Sequence, residues 1–196
     1  IQLVNLNFLW EILMFSAILI RLTDYLFSII GLIIFSPIIA LVILIILIGR
    51  NHPIIYNSYR VGKGGKLFKI YKFQSMIDDS PTYFGSYIRR LSIDEIPQLI
   101  NVIKGDMSIV GPRPLPVDIE KKIDEKNKNK RRLTRPGITG LTQMNYKGKY
   151  RTLSEKVIMD IIYIDNLNYI LYLKIIFFTI PTLVRRFIYN KSSRSL

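Results

Sequence analysis

The chain has no cysteine and one histidine in 196 residues. The first absence excludes a disulfide framework and a thiolate metal site. The second removes a His-rich metal centre and leaves a Ser/His/Asp triad without support. His52 follows an apolar segment and precedes Pro53, which reads as a solvated boundary. Acid is also scarce. Fourteen Asp and Glu stand against 28 Lys and Arg, for a net charge of +14. A chain this basic attracts polyanions, either nucleic acid or anionic lipid. A Walker phosphate loop is missing too: Gly62-Lys63-Gly64-Gly65 runs on to Lys66-Leu67 instead of opening a helix with Gly-Lys-Ser/Thr. There is no internal repeat, and no low-complexity stretch beyond a short polar tail at residues 191–195.

What the chain has in quantity is apolar sequence, 49% of residues. Residues 25–49 carry no charge at all. As a straight helix they would run about 37 Å, and a hydrocarbon core is roughly 30 Å thick. Ser36-Pro37 lies near the middle, where proline removes a backbone hydrogen bond and kinks a helix. Arg21 precedes the segment; Arg50, Arg60 and Lys63 follow it. Basic residues on both flanks place both on the cytoplasmic side. The residues alone leave a spanning helix and a helix that bends and leaves by the same face about equally open. The kink with its two basic flanks makes the re-entrant form the expectation. Residues 1–20 are apolar but interrupted by Asn5, Asn7 and Glu11, and read as a membrane-adjacent helix or a second spanning element; without a basic start or small-residue cleavage site they do not resemble a signal peptide.

The expected organisation is a membrane-associated region at 1–50, a membrane-surface catalytic domain at 51–190 and a polar tail at 191–196. The second region opens with strand-like alternation on either side of Gly62–Gly65, predicting a hairpin of Ile54-Ile55-Tyr56 and Leu67 to Phe73. Residues 78–84 read as a loop, 87–91 and 98–104 as short helices, 115–133 as one solvated charged helix, and 135–140 as a turn-rich connector. Residues 153–190 are dense in Tyr, Phe and aliphatics around Pro181, which fits an interfacial helix; core packing fits equally well.

Asp94 and Glu95 are the most informative pair. Ser92-Ile93-Asp94-Glu95 matches a capping box, a purely structural pattern. Pro97 argues against it, since proline would then fall in the first turns of the helix; as the first helical residue it is better placed. The two carboxylates then precede the helix, at its positive end. So close together they need cations, and Arg89, Arg90 or a divalent metal answers that need. Mg²⁺ takes one or two carboxylates together with substrate phosphate oxygens. One carboxylate can hold metal while the other serves as nucleophile or base. Arg113, fixed between Pro112 and Pro114, presents a stiff guanidinium suited to phosphate. Alone it would read as a surface ion pair with Asp106.

Taken in order, Phe35-Ser36-Pro37, Arg60-Val61-Gly62, Phe68-Lys69-Ile70-Tyr71-Lys72-Phe73, the run from Arg89 to Gln98, Asn101-Val102, the run from Lys104 to Pro114, and Arg135-Pro136-Gly137-Ile138-Thr139-Gly140 resemble the bacterial sugar transferase family. These are monotopic phosphoglycosyl transferases, and the likeness extends over residues 21–187. It implies an α+β, mostly helical monotopic membrane protein with a re-entrant N-terminal helix, a small β-hairpin and interfacial amphipathic helices. It implies transfer of a phosphosugar from a UDP-sugar to a polyprenol phosphate such as undecaprenyl phosphate, releasing UMP, on the cytoplasmic face of the bacterial inner membrane. Asp94 matches the first carboxylate of the family dyad and would attack the β-phosphate, with Glu95 assisting with Mg²⁺ or protons. Lys72, Arg89 and Arg113 match cations that contact phosphates. Arg89 is expected to keep Asp94 ionised despite burial.

Three departures fall where nucleotide or sugar contacts are expected. The stretch between Met76 and Arg89 is short, Leu141-Thr142-Gln143 stands where Trp-Ala-Gln is frequent, and Tyr146 replaces a common glycine after Asn145. Two readings from other classes compete. A non-catalytic scaffold holding anionic lipid has no need of the clustered Asp94, Glu95 and Arg113. A nucleic-acid binder would not carry the apolar segment at 25–49.

Overall fold

The computed structural model describes residues 6–49, 53–78, 80–144 and 152–192. Asn145, Tyr146, His52, Arg50 and the last four residues of the tail lie outside the described residues.

Helix α1 (Leu6–Ile34) is continuous through the charged residues at 21–24. This corrects the expectation of separate elements at 1–20 and 25–49. Arg21 and Asp24 do not interrupt the helix; they dock it. Arg21 donates to the carbonyls of Ile103 and Met107, each at 3.4 Å. Asp24, 1% exposed, accepts from Ser108 Oγ at 2.9 Å, Ile109 N–H at 2.7 Å and Tyr172 OH at 2.7 Å. A carboxylate this deep is tolerated because its charge is spread over three donors. Thr23 adds a hydroxyl contact to Tyr169 at 3.0 Å. Within α1, residues Met14–Ile34 form the one described helix long and apolar enough to cross a membrane.

Helix α2 (Ser36–Ile48) follows after a break at Phe35, with Pro37 in its first turn, where a missing N–H costs nothing. Ser36 Oγ donates back to Ile33 O at 2.8 Å. Val42 of α2 is buried with Phe73 and Ile88. Both arms of the apolar element therefore rest on the remainder of the chain.

The predicted hairpin is present. Strand β1 (Ile55–Val61) pairs antiparallel with β2 (Leu67–Phe73), from Ile55 opposite Phe73 to Val61 opposite Leu67. Gly64 and Gly65 supply the positive φ of the turn. A short strand β3 (Met76–Ile77) pairs antiparallel with β4 (Ser80–Pro81). Helix α3 (Tyr83–Arg90) begins earlier than expected because Thr82 caps it, accepting from Gly85 N–H at 2.8 Å. Helix α4 (Gln98–Lys104) has the predicted limits, set by Pro97 before it and the left-handed Gly105 after it.

The region beyond α4 departs from the sequence reading. Strand β5 (Ser108–Val110) leads into residues 111–116. Two helices, α5 (Val117–Glu120) and α6 (Glu125–Arg131), replace the single charged helix, because Asp124 caps a new start by accepting from Asn127 N–H at 3.0 Å. Nor is this region merely solvated. Glu120 and Arg131 are buried, held by Arg132 Nε–Glu120 at 2.8 Å and Arg131 Nε–Asp160 at 3.0 Å. The expected connector contains strand β6 (Gly137–Thr139), parallel to β5. Helices α7 (Leu153–Asp165) and α8 (Tyr169–Ser192) complete the chain. The result is mostly helical with a small sheet portion.

Three apolar clusters hold these parts. Phe68 and Ile70 meet Val102 and Met107, joining β2 to α4. Val110 meets Tyr163, Tyr172 and Ile175, joining β5 to α7 and α8. The third is the cluster around Val42 and Phe73 described above.

Candidate active site

Strand β2, the turn before α4 and the loop after β5 converge on one place. Asn101 on α4, fully buried, sets the first of these. Its Oδ1 accepts from Tyr71 N–H at 3.0 Å and its Nδ2 donates to Lys69 O at 2.7 Å. The free edge of β2 is thus satisfied by a side-chain amide and fixed to α4. Lys72 follows directly and donates to Glu95 Oε1 at 2.7 Å.

The dyad occupies a 3₁₀ turn, Ile93–Glu95, just before α4. Ser92 makes no side-chain cap, so the capping box does not form; Ser92 instead adopts φ 57°, ψ 21°. That left-handed conformation is strained for a residue with a Cβ and turns the chain sharply after α3. Asp94 is buried, at 6% exposure. Burial pushes its carboxyl above the ordinary range; Lys72 pulls it down, Glu95 pushes it up, and Arg89 pulls it down. Arg89 was the cation expected to hold Asp94 ionised; here Lys72 pulls harder than Arg89, and burial outweighs both.

Residues 111–116 are stitched on three sides. Gly137 N–H donates to Pro112 O at 2.8 Å and Gly111 N–H to Thr139 O at 2.8 Å. Arg131 Nη2 donates to Arg113 O at 2.8 Å, and Val61 N–H to Leu115 O at 3.3 Å. The two Gly/Pro-rich motifs are partners: a Cβ on Gly137 would overlap the backbone nitrogen of Gly111. Arg113 so held points its Nη2 to within 3.7 Å of Glu95 Oε1. Its partner is Glu95 and not Asp106, which accepts from Asn101.

Lys72, Asp94, Glu95 and Arg113 are therefore together. Arg89 reaches Asp94 electrostatically, but its guanidinium lies exposed and donates to Met76 Sδ. A cleft of about 90 Å³ is lined by Arg60, Lys72, Glu95, Gln98, Arg113 and Gly137, among others. Ser36 and Pro37 lie at the α1–α2 break. Among the described residues no three His, Cys, Asp or Glu gather as a metal cage. Two adjacent carboxylates are nonetheless hard oxygen donors suited to Mg²⁺ when phosphate oxygens and water complete the shell.

Sequence reasoning did not single out Asp24, Asn101 or Arg131 for their positions. Asp24 had a usable signal, since a carboxylate within the apolar stretch Met14–Ile34 demands a partner.

Comparison with known proteins bears on this geometry. The profile of the family described as Bacterial sugar transferase matches residues 15–186. An uncharacterized sugar transferase, EpsL, of Bacillus subtilis (strain 168) is 38% identical over 175 residues, covering 83% of this chain and 86% of its own. The chain belongs to the bacterial sugar transferase family. It is accordingly a transferase. A UDP-N-acetylgalactosamine-undecaprenyl-phosphate N-acetylgalactosaminephosphotransferase of Aeromonas hydrophila is 34% identical over 189 residues, 87% of this chain and 45% of its own. A UDP-glucose:undecaprenyl-phosphate glucose-1-phosphate transferase of Klebsiella pneumoniae is 34% identical over 180 residues, 82% and 39% respectively. The chain thus spans less than half of these two relatives. Membership in a transferase family removes the reason for the scaffold reading.

Proposed function

We propose that this chain transfers a sugar phosphate from a UDP-sugar to undecaprenyl phosphate, in two steps through Asp94, at the cytoplasmic face of the bacterial inner membrane. The observation that carries this reading is the buried Asp94 next to Glu95, whose Oε1 is paired with Lys72 at 2.7 Å beside a cation-lined cleft. Family membership and the printed activities of the relatives support it.

In the first step an Asp94 carboxylate oxygen attacks the β-phosphorus. The bond from that phosphorus to the bridging oxygen breaks, and UMP leaves with the electron pair. In the second step a phosphate oxygen of undecaprenyl phosphate attacks the same phosphorus. The acyl–phosphate bond breaks and Asp94 returns as a carboxylate. Dividing the reaction avoids crowding two anionic substrates into one site. Lys72 and Arg113 hold Glu95 and offset phosphate charge; Arg89, whose charge reaches Asp94, offers a further cation. A bound Mg²⁺, held by Asp94 and Glu95, would supply charge neutralisation to the diphosphate.

The α1–α2 unit is read as re-entrant, and the exposed Ile170, Leu173, Phe177 and Phe178 of α8 as an interfacial face. The test is a panel of UDP-sugars assayed for UMP release with undecaprenyl phosphate and Mg²⁺. One or a few should release UMP and yield a lipid diphosphate sugar; release from none would sink the reading.

A further inference from the structure

Arg60, on β1, lines the same cleft as Lys72, Glu95 and Arg113. Its Nε is buried and has no hydrogen-bond partner. Two nearby arginines, Arg131 buried and Arg132 half-buried, behave differently. Arg131 is committed to Asp160 and to Arg113 O, and Arg132 to Glu120. In both, the Nε that Arg60 leaves unpartnered is bonded to a buried carboxylate of the protein. Arg90 Nε is also unpartnered, but Arg90 does not line the cleft.

Arg60 is moreover close enough to Arg113 to feel its charge. Burial lowers the Arg60 pKa most, Tyr56 raises it, Arg113 lowers it and Asp118 raises it. A desolvated guanidinium with an unpaired donor, beside a second guanidinium, is unfavourable for the protein alone. The cleft carries three cations, Arg60, Lys72 and Arg113, against the one carboxylate of Glu95. The cleft lining itself is therefore richer in cations than in carboxylates. The diphosphate of a nucleotide sugar carries about two negative charges at neutral pH, and planar guanidiniums match its oxygens in pairs.

We infer that Arg60 is a substrate-binding residue, whose guanidinium joins Arg113 and Lys72 in receiving the diphosphate of the donor nucleotide. The inference rests on the donor class proposed above and adds a residue to it. Backbone pairing near Pro116 fixes where Arg60 sits, so its side chain can be changed without moving the strand.

The experiment uses the full chain in detergent, with Arg60→Gln, Arg60→Lys and wild type compared by calorimetry with inorganic pyrophosphate and with UDP, and by initial rates. Arg60→Gln should weaken both ligands tenfold or more and raise the donor KM similarly, leave the KM for undecaprenyl phosphate unchanged, and melt no lower than wild type. Arg60→Lys should fall between, keeping charge but losing the fork. Donor KM and pyrophosphate affinity within twofold of wild type in Arg60→Gln would overturn the inference. Should that variant not fold, the same result in Arg60→Lys would overturn it. Wild type that binds no pyrophosphate overturns it as well. Wild type that binds pyrophosphate through Arg60 yet releases no UMP from any UDP-sugar would leave the anion site standing and remove the donor assignment.

Discussion

Replacing Asp24 by Ala is the sharpest structural perturbation available. The carboxylate is 1% exposed, and one oxygen, Oδ1, accepts from Ser108 Oγ, Ile109 N–H and Tyr172 OH at 2.7–2.9 Å. Hydrogen bonds to a charged acceptor are worth about 1.5–3 kcal/mol each. The three are not additive, because the Ser108 and Tyr172 hydroxyls can turn elsewhere and the desolvation of the carboxylate is itself relieved. The Ile109 N–H cannot turn. Removing one partner from such a buried set costs roughly 3–5 kcal/mol, a large share of a stability typically about 5–15 kcal/mol. Asp24→Asn retains a carbonyl acceptor and should cost about 1–2 kcal/mol. Denaturant melts of purified protein in one detergent measure this. Tyr172→Phe supplies the cycle: it should destabilise wild type and do almost nothing in the Asp24→Ala background. Turnover should fall as well, because β5 runs directly into the loop holding Arg113. Asp24→Ala within about 0.5 kcal/mol of wild type would refute the view that this carboxylate docks α1.

Burial raises the Asp94 carboxyl, so the folded protein holds that proton more tightly than the unfolded chain. Stability is then greatest with Asp94 protonated and declines as pH rises from the ordinary carboxyl range through the raised value. Asp94→Asn should melt above wild type at neutral pH, with the gap closing in acid, and the acid limb of kcat/KM should lie above the usual carboxylate range; a variant that melts lower at neutral pH contradicts this. Chelation by EDTA should stop turnover and added Mg²⁺ restore it, whereas full activity in chelator removes the metal from the reaction. Cysteines introduced one at a time into this cysteine-free chain, near residues 6 and 191, should react from the same side of a membrane vesicle. Opposite sidedness would establish a spanning helix in place of a re-entrant one, and Pro37→Ala should shift the balance toward spanning.

Local signals made some of these features legible in sequence and left others hidden. The β1–β2 hairpin was visible because alternation and Gly64-Gly65 act within a few residues. The limits of α4 were visible because Pro97 and Gly105 are strong punctuation. Strand β6 was hidden: its residues, Gly137–Thr139, have turn character and become a strand only because β5 lies alongside. The break between α5 and α6 turns on one Asp124 cap. Burial of Glu120 and Arg131 depends on Arg132 and Asp160, and hydropathy assigns all four to solvent. The dyad was legible as a pair, and Arg113 as a presented cation. The pairing of Glu95 with both Lys72 and Arg113 needed the three segments assembled. Asn101 was a motif residue without a role until the edge of β2 was seen against it.

The central claim is the bond to Asp94. Purified enzyme incubated with its UDP-sugar and Mg²⁺, without lipid acceptor, should release up to one equivalent of UMP. The peptide containing Asp94 should gain the mass of a sugar phosphate, and that gain should vanish on addition of undecaprenyl phosphate. Asp94→Asn should show neither. Initial-rate lines for the two substrates should run parallel. Intersecting lines, together with no adduct on wild-type enzyme, would mean direct transfer between two substrates bound at once.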